Sequence, residues 1–285
     1  MSKNIEQVFE ENERPLLSTV LGAGGPFAIS YDSGICVGLG QKGINLREDD
    51  GPILAVSGGV WTAGFIEEGM TKDGAEKIPP VRFPNREKDY LLGIGEQVFG
   101  EARSTRIGAA VLRIPTFKKP VPRVEVLWDE DITIAEKAAA ASAIPGGYRH
   151  VALKGNKYFD GGTTLSFTHA HRAPDADNLI VVAALAKNSK LSIGPLKDPG
   201  IAGRQLEWRA KTELRNWEKS NGGDANLISP TPEIGKMIER FTDLFDKKIA
   251  RRAFSMAIEQ AHQTVEENPS LQQLAQKMRQ KSSGQ

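Results

Sequence analysis

Short apolar runs alternate with glycine-rich turns and with stretches whose apolar residues recur every three or four positions. Leu16-Leu17-Ser18-Thr19-Val20-Leu21 predicts a strand and Gly22-Ala23-Gly24-Gly25-Pro26-Phe27 a loop. Ala28 to Gln41 follows as a helix, with Tyr31, Ile35 and Leu39 each four apart. Ile53 to Val56 predicts a buried strand, Ser57-Gly58-Gly59 a sharp turn, and Val60 to Met70 a helix. Residues 71–90 crowd Lys, Asp, Glu, Pro and Arg together and predict an exposed loop, a candidate lid. Leu91 to Ala102 predicts a helix, Gly108 to Pro115 a strand, and Val124 to Trp128 another after the basic turn Lys118 to Arg123. An alanine-rich helix over Ile134 to Ala143 ends at Ile144-Pro145-Gly146-Gly147, and Asn178 to Leu185 is a further buried strand. Strands alternating with helices in this way predict an α/β layered fold with a mostly parallel central sheet flanked by helices.

The C-terminal third changes character. Leu206, Ala210, Leu214 and Trp217 share one helix face, as do Ala250, Phe254, Ala257, Ile258, Ala261 and Val265. Residues 269–282 predict a polar helix. Lys247, Lys248, Arg251 and Arg252 top the second of these helices as a solvated face, anionic headgroups being the alternative partner. The predicted organisation is a polar lead-in at 1–15, a core at 16–190, and a mainly helical region at 191–285 packed on that core.

Composition narrows the function classes. A formal net charge of +1 over 285 residues removes any global electrostatic case for nucleic acid. The single cysteine, Cys36, excludes an internal disulfide framework and a cysteine-based zinc site; it reads as a small core residue. The first residues lack an apolar signal-peptide core, and no run reaches transmembrane length, so the expected location is cytoplasmic, with a place at the membrane periphery and export by a route without a cleaved signal as alternatives.

Candidate chemistry begins at Ser57. A serine between a strand and a helix, with small neighbours Ala55, Gly58 and Gly59, has the nucleophile-elbow arrangement, as A-V-S-G-G rather than G-x-S-x-G. The alternative is an ordinary turn whose serine caps the helix. Gly22 to Gly25 presents backbone N–H groups at a helix start and suits a developing oxyanion; the dinucleotide and P-loop patterns are missing. Asp160-Gly161-Gly162 taken alone is a turn signal. His169 and His171, at i, i+2, share one face if they lie on a strand, as rim or surface residues. A Ser–Asp–His order is available from them, with His150 and His262 as the remaining histidines. A metal would need a third ligand, and none is evident.

These stretches together resemble the patatin-like phospholipase family, in its bacterial branch. The resemblance rests on Gly22-Ala23-Gly24-Gly25, Gly34 on the next helix, Ser57, Ala141-Ser142-Ala143-Ile144-Pro145-Gly146 and Asp160-Gly161-Gly162, and runs from about Thr19 to Lys187. Glu207 to Val265, with a short strand at Ala225 to Ile228, resembles the tail of that branch. The resemblance implies a Ser–Asp dyad without histidine: Ser57 as nucleophile, Asp160 as its base, Gly24 and Gly25 amides as oxyanion hole. Gly22, Gly59, Gly161 and Gly162 would shape the elbow and loops. It further implies a lipid acyl ester as substrate, no cofactor and no metal, and leaves contact with a membrane surface open. Ala23, Pro26 and Ala55 depart from the family pattern at the site. They motivate a second expectation, a patatin-like shell that binds without turnover.

Overall fold

The computed structural model describes residues 14–69, 72–115, 121–164, 166–186 and 201–283. Residues 1–13 of the lead-in, half of the turn at 118–123 and the boundary at 190 lie outside the described residues. Strands β1 (Leu17–Leu21), β2 (Ile53–Val56), β3 (Ile107–Arg113), β4 (Arg123–Leu127), β5 (Val151–Leu153), β6 (Asn156–Asp160), β7 (Asn178–Val182) and β8 (Asp224–Ile228) form one sheet. Its order is β5-β6-β3-β2-β1-β7-β8, with β4 also on β3. The longer helices are α1 (Gly25–Gln41), α2 (Gly58–Glu67), α3 (Tyr90–Phe99), α4 (Ile134–Ser142), α5 (Ile201–Asn221), α6 (Lys247–Glu267) and α7 (Pro269–Ser283).

The neighbours β3-β2-β1-β7-β8 run parallel, while β4 and β6 pair antiparallel with β3 and β5 with β6. The central strands are apolar on both faces, because helices cover both. Leu17, Leu21, Ile53 and Ala55 pack into the core shared with α1, α2 and α4. Val20, Leu54, Val56, Leu179 and Val181 pack on the other side against Leu214 and Trp217 of α5. The α/β architecture with a helical C-terminal region is therefore as the sequence predicts.

One register positions the site. Along β3, Ala110 pairs with Val56 of β2, and the next residue, Val111, pairs with Asp160 of β6. β2 ends at Val56, so β6 takes over the same edge of β3 from the opposite direction. The carboxyl ends of β2 and β6 meet head-on, which brings Ser57 and Asp160 together across 103 residues of chain.

Three local expectations change. Residues 72–89 are not simply an exposed lid: Asp73 is buried and accepts Ser30 Oγ at 2.9 Å, and Ile78 is buried as well. The hairpin signal lies earlier than Asp160-Gly161: Lys154 (φ 46°) and Gly155 (φ 74°) turn β5 into β6. His169 and His171 are not on a strand. His169 is left-handed (φ 51°, ψ 31°) and precedes a single helical turn, Ala170–Arg172.

Helices α1 and α6 pack at close range through small residues. A Cβ at Gly34 would sit 2.4 Å from the Phe254 carbonyl oxygen and 2.8 Å from Ala257 Cβ. Because that backbone cannot yield without separating the helices, Gly34→Ala should lower unfolding free energy by about 1–3 kcal/mol. A urea unfolding midpoint unchanged from the parent would contradict this packing.

Candidate active site

Ser57 stands at the turn from β2 into α2 with φ 51° and ψ −121°. That backbone region is costly for a residue with a side chain, of order 1–3 kcal/mol, and such strain concentrates at functional positions. The Ser57 side chain makes no capping hydrogen bond to α2, which removes the helix-cap alternative. Glycines are required around it. A Cβ at Gly59 would lie 2.3 Å from the Leu21 carbonyl oxygen, and one at Gly58 would lie 2.6 Å from that of Gly25. The elbow therefore rests directly on the end of β1 and on the glycine loop.

Asp160, the last residue of β6, is buried beneath this turn. Its Oδ1 accepts the Gly162 N–H at 2.7 Å, and the Ser57 hydroxyl lies close enough to the carboxylate to favour its charged form. Burial pushes the Asp160 pKa up to about 7, opposed by the Ser57 and Gly162 hydrogen bonds. A carboxylate so poised changes charge where a general base for neutral-pH chemistry should. No imidazole stands between Ser57 and Asp160. His169 Nε2 instead meets the Gly161 carbonyl at 3.1 Å, and His262 bonds Gln41 on the surface of α6. His150 packs edge-on against Phe159.

The glycine loop leads from β1 into the N-terminus of α1. The Ala23 N–H is committed to the Phe167 carbonyl at 2.9 Å and the Gly22 N–H to Val182 at 2.9 Å. The Gly24 and Gly25 N–H groups have no acceptor among the described residues. They open at the positive end of a 17-residue helix with no acidic side chain in its first turn. The Gly58 N–H, at the first turn of α2, is a further donor of the same kind. The sequence signal for it is its place directly after the elbow serine. Gly161 and Gly162 lie where a Cβ would strike the Ala110 carbonyl at 2.6 Å and approach Ala23 Cβ at 3.2 Å, respectively. The base, the loop and the elbow are thus in mutual contact.

Beside Ser57 opens an apolar cleft with about 460 Å³ of empty space, its mouth included. Ile29, Trp61, Ile78, Leu91, Tyr148 and Phe245 are among its walls, and no charged side chain lines it. Trp61 is fixed by its Nε1–H bond to Ser142 Oγ at 2.9 Å. Phe83 stacks on Phe245 (ring centroids 5.0 Å apart) and, with Phe241, extends the aromatic surface outward. Cys36 is half-buried on α1, its thiol pKa raised by burial and by Asp32, which fits a packing residue. Among the described residues no group of three metal-ligating side chains converges, and no helix is long and apolar enough to cross a membrane.

No protein-family model matches the chain, and no curated protein matches it.

The raised Asp160 pKa has a stability consequence. The folded state holds this proton more tightly than the unfolded chain, so stability falls as pH rises from about 4 through about 7. Asp160→Asn removes that loss. The variant should be more stable than the parent above about pH 8, by at most about 4 kcal/mol, and the difference should shrink towards pH 4. Melting curves of both proteins across pH test this; an equal difference at every pH would contradict a buried, proton-hungry Asp160.

Proposed function

We propose that this chain is a serine ester hydrolase of the patatin-like phospholipase type, cleaving lipid acyl esters through an acyl-serine intermediate. The observation that carries the reading is the Ser57 hydroxyl on a strained elbow, facing a carboxylate that titrates near neutrality. The Ser57 oxygen attacks the ester carbonyl as Asp160 takes the hydroxyl proton. Negative charge develops on the carbonyl oxygen, and the Gly24 and Gly25 N–H groups receive it. Such donors are typically worth about 2.7–4 kcal/mol each in the transition state. Collapse expels the alcohol, which leaves with the proton from Asp160. Water, deprotonated by Asp160, then attacks the acyl-serine; collapse breaks the bond to Ser57 Oγ, which takes the proton back from Asp160, and releases the carboxylic acid.

The uncharged cleft supports an apolar acyl group as the bound half of the substrate. Binding of that half is worth about 0.8 kcal/mol per buried methylene. Phe83 and Phe241, partly exposed beside the cleft, support contact with a lipid surface. No step of this reaction calls for a cofactor, metal or nucleic acid.

Ser57→Ala should lower hydrolysis of p-nitrophenyl esters by at least about a thousandfold with the fold intact. A fluorophosphonate probe should label Ser57 in the parent. The rate should rise with pH through about 7, as Asp160 ionises. Full activity in the Ser57→Ala variant rejects the nucleophile. Absence of both labelling and turnover in the parent favours the silent, binding-only shell.

A further inference from the structure

Helix α5 belongs to none of the elements that carry the dyad or the glycine loop, yet its Glu213 is buried. One Glu213 oxygen accepts Ser166 Oγ at 2.5 Å, and the other accepts Thr168 Oγ1 at 2.7 Å and the Ala170 N–H at 2.9 Å. His171 Nδ1 stands 3.7 Å away. These bonds hold residues 166–172 in a turn of fixed shape. Ser166 Oγ also accepts the His169 N–H at 3.0 Å, which fixes the left-handed backbone of His169.

The turn touches the candidate site at both ends. The Phe167 carbonyl accepts the Ala23 N–H, one residue before Gly24. The buried His169 ring donates Nε2–H to the Gly161 carbonyl, one residue after Asp160. Thr164 Oγ1 donates to the same carbonyl at 2.8 Å. One carboxylate on a distant helix thereby ties the oxyanion loop and the base to a single short segment. Neither α5 nor residues 166–172 contribute to the walls of the apolar cleft.

We infer that Glu213 is a positioning residue: through the turn 166–172 and the His169 to Gly161 hydrogen bond, it sets the distance between the oxyanion loop and Asp160. The inference rests on the hydrolase reading above. It separates chemistry from substrate binding. Displacing Gly161 moves the Gly162 N–H that steadies the Asp160 carboxylate, while the acyl cleft is untouched. The groups acting on Asp160 are its burial, the Ser57 hydroxyl and the Gly162 N–H. Those facing Glu213 are Ser166, Thr168, the Ala170 N–H and His171, with His169 close by and Arg172 acting on His169.

Glu213→Gln, Glu213→Ala and His169→Ala are to be compared with the parent on p-nitrophenyl butyrate. A misplacement of about 1 Å costs up to about a hundredfold in rate, so kcat should fall by about ten- to a hundredfold with KM within about twofold. The pH at half-maximal rate should move upwards, because a weakened Gly162 bond makes Asp160 harder to ionise. A purely structural role predicts a rate that falls only with the folded fraction, measured by circular dichroism, and an unmoved pH profile. That result overturns the proposal, and so does full activity in Glu213→Gln and His169→Ala, which carry the test if Glu213→Ala does not fold. Histidine nitrogen-15 spectra give a readout free of turnover. The parent should show a neutral, Nε2-protonated His169 whose signal shifts on Glu213→Ala or Glu213→Gln; an unmoved signal cuts the link. The Ser57→Ala control keeps the two claims apart: if it retains activity, the hydrolase reading falls and takes this inference with it.

Discussion

The edge of β3 that is handed from β2 to β6 is the constraint on which the site depends. A strand edge offers one ladder of N–H and C=O groups, and two strands share it here end to end. Neither can lengthen without displacing the other. β2 must leave the sheet after Val56, which forces the turn at Ser57, and β6 must stop at Asp160. A shift of one residue in either ladder would turn every side chain of that strand to the opposite face. The pairing of serine and carboxylate is therefore specified by sheet register, which is rigid, rather than by loop conformation.

Environment then gives two buried carboxylates opposite properties. Asp160 has burial against it and only one backbone donor and one hydroxyl in its favour, so its pKa rises to about 7. Glu213 is also desolvated, but hydrogen bonds from Ser166, Thr168 and the Ala170 N–H, with the His171 ring 3.7 Å away, outweigh that, and its pKa falls to about 2. The first can exchange a proton near neutrality; the second is a permanent anion suited to holding a turn. Separation of this kind between acid–base and fixed-charge roles is how one fold supports proton transfer at neutral pH.

The sequence makes the parallel part of this architecture legible and the antiparallel part much less so. Leu54 and Val181 sit in continuous apolar runs because both sheet faces are covered, and such runs stand out. β5 has three residues and joins β6 through Lys154-Gly155, which lacks the usual Asn-Gly or Asp-Gly signature. Ser57 and the glycine loop are visible because close backbone approach demands small residues at fixed spacing. Asp160 is ambiguous, since an aspartate before glycines is a commoner turn than a base. Buried polar groups are the least legible. Asp32, on α1, is buried with neither carboxylate oxygen hydrogen-bonded, and burial raises its pKa. Lys137 is buried in an alanine-rich helix, donating to the Ser104 and Ile107 carbonyls. Glu213 did leave a trace: it falls three residues after Ala210 and four before Trp217, a charge set within an apolar helix stripe.

Ala23, Pro26 and Ala55, which depart from the pattern the sequence resembles, each have a local structural account. Ala23 is not an oxyanion donor, since its N–H serves the Phe167 carbonyl; its methyl group packs towards Gly162. Pro26 is the second residue of α1, where an N–H has no intrahelical acceptor in any case, so its missing proton breaks no helical bond. Its ring adds to the apolar wall beside Ser57. Ala55 is fully buried in β2, and its methyl group belongs to the core beneath the sheet rather than to the elbow. The close contacts at the elbow are instead made by Gly58 and Gly59, which are both present. The three residues therefore leave intact the backbone donors and close contacts that the proposed ester chemistry would use.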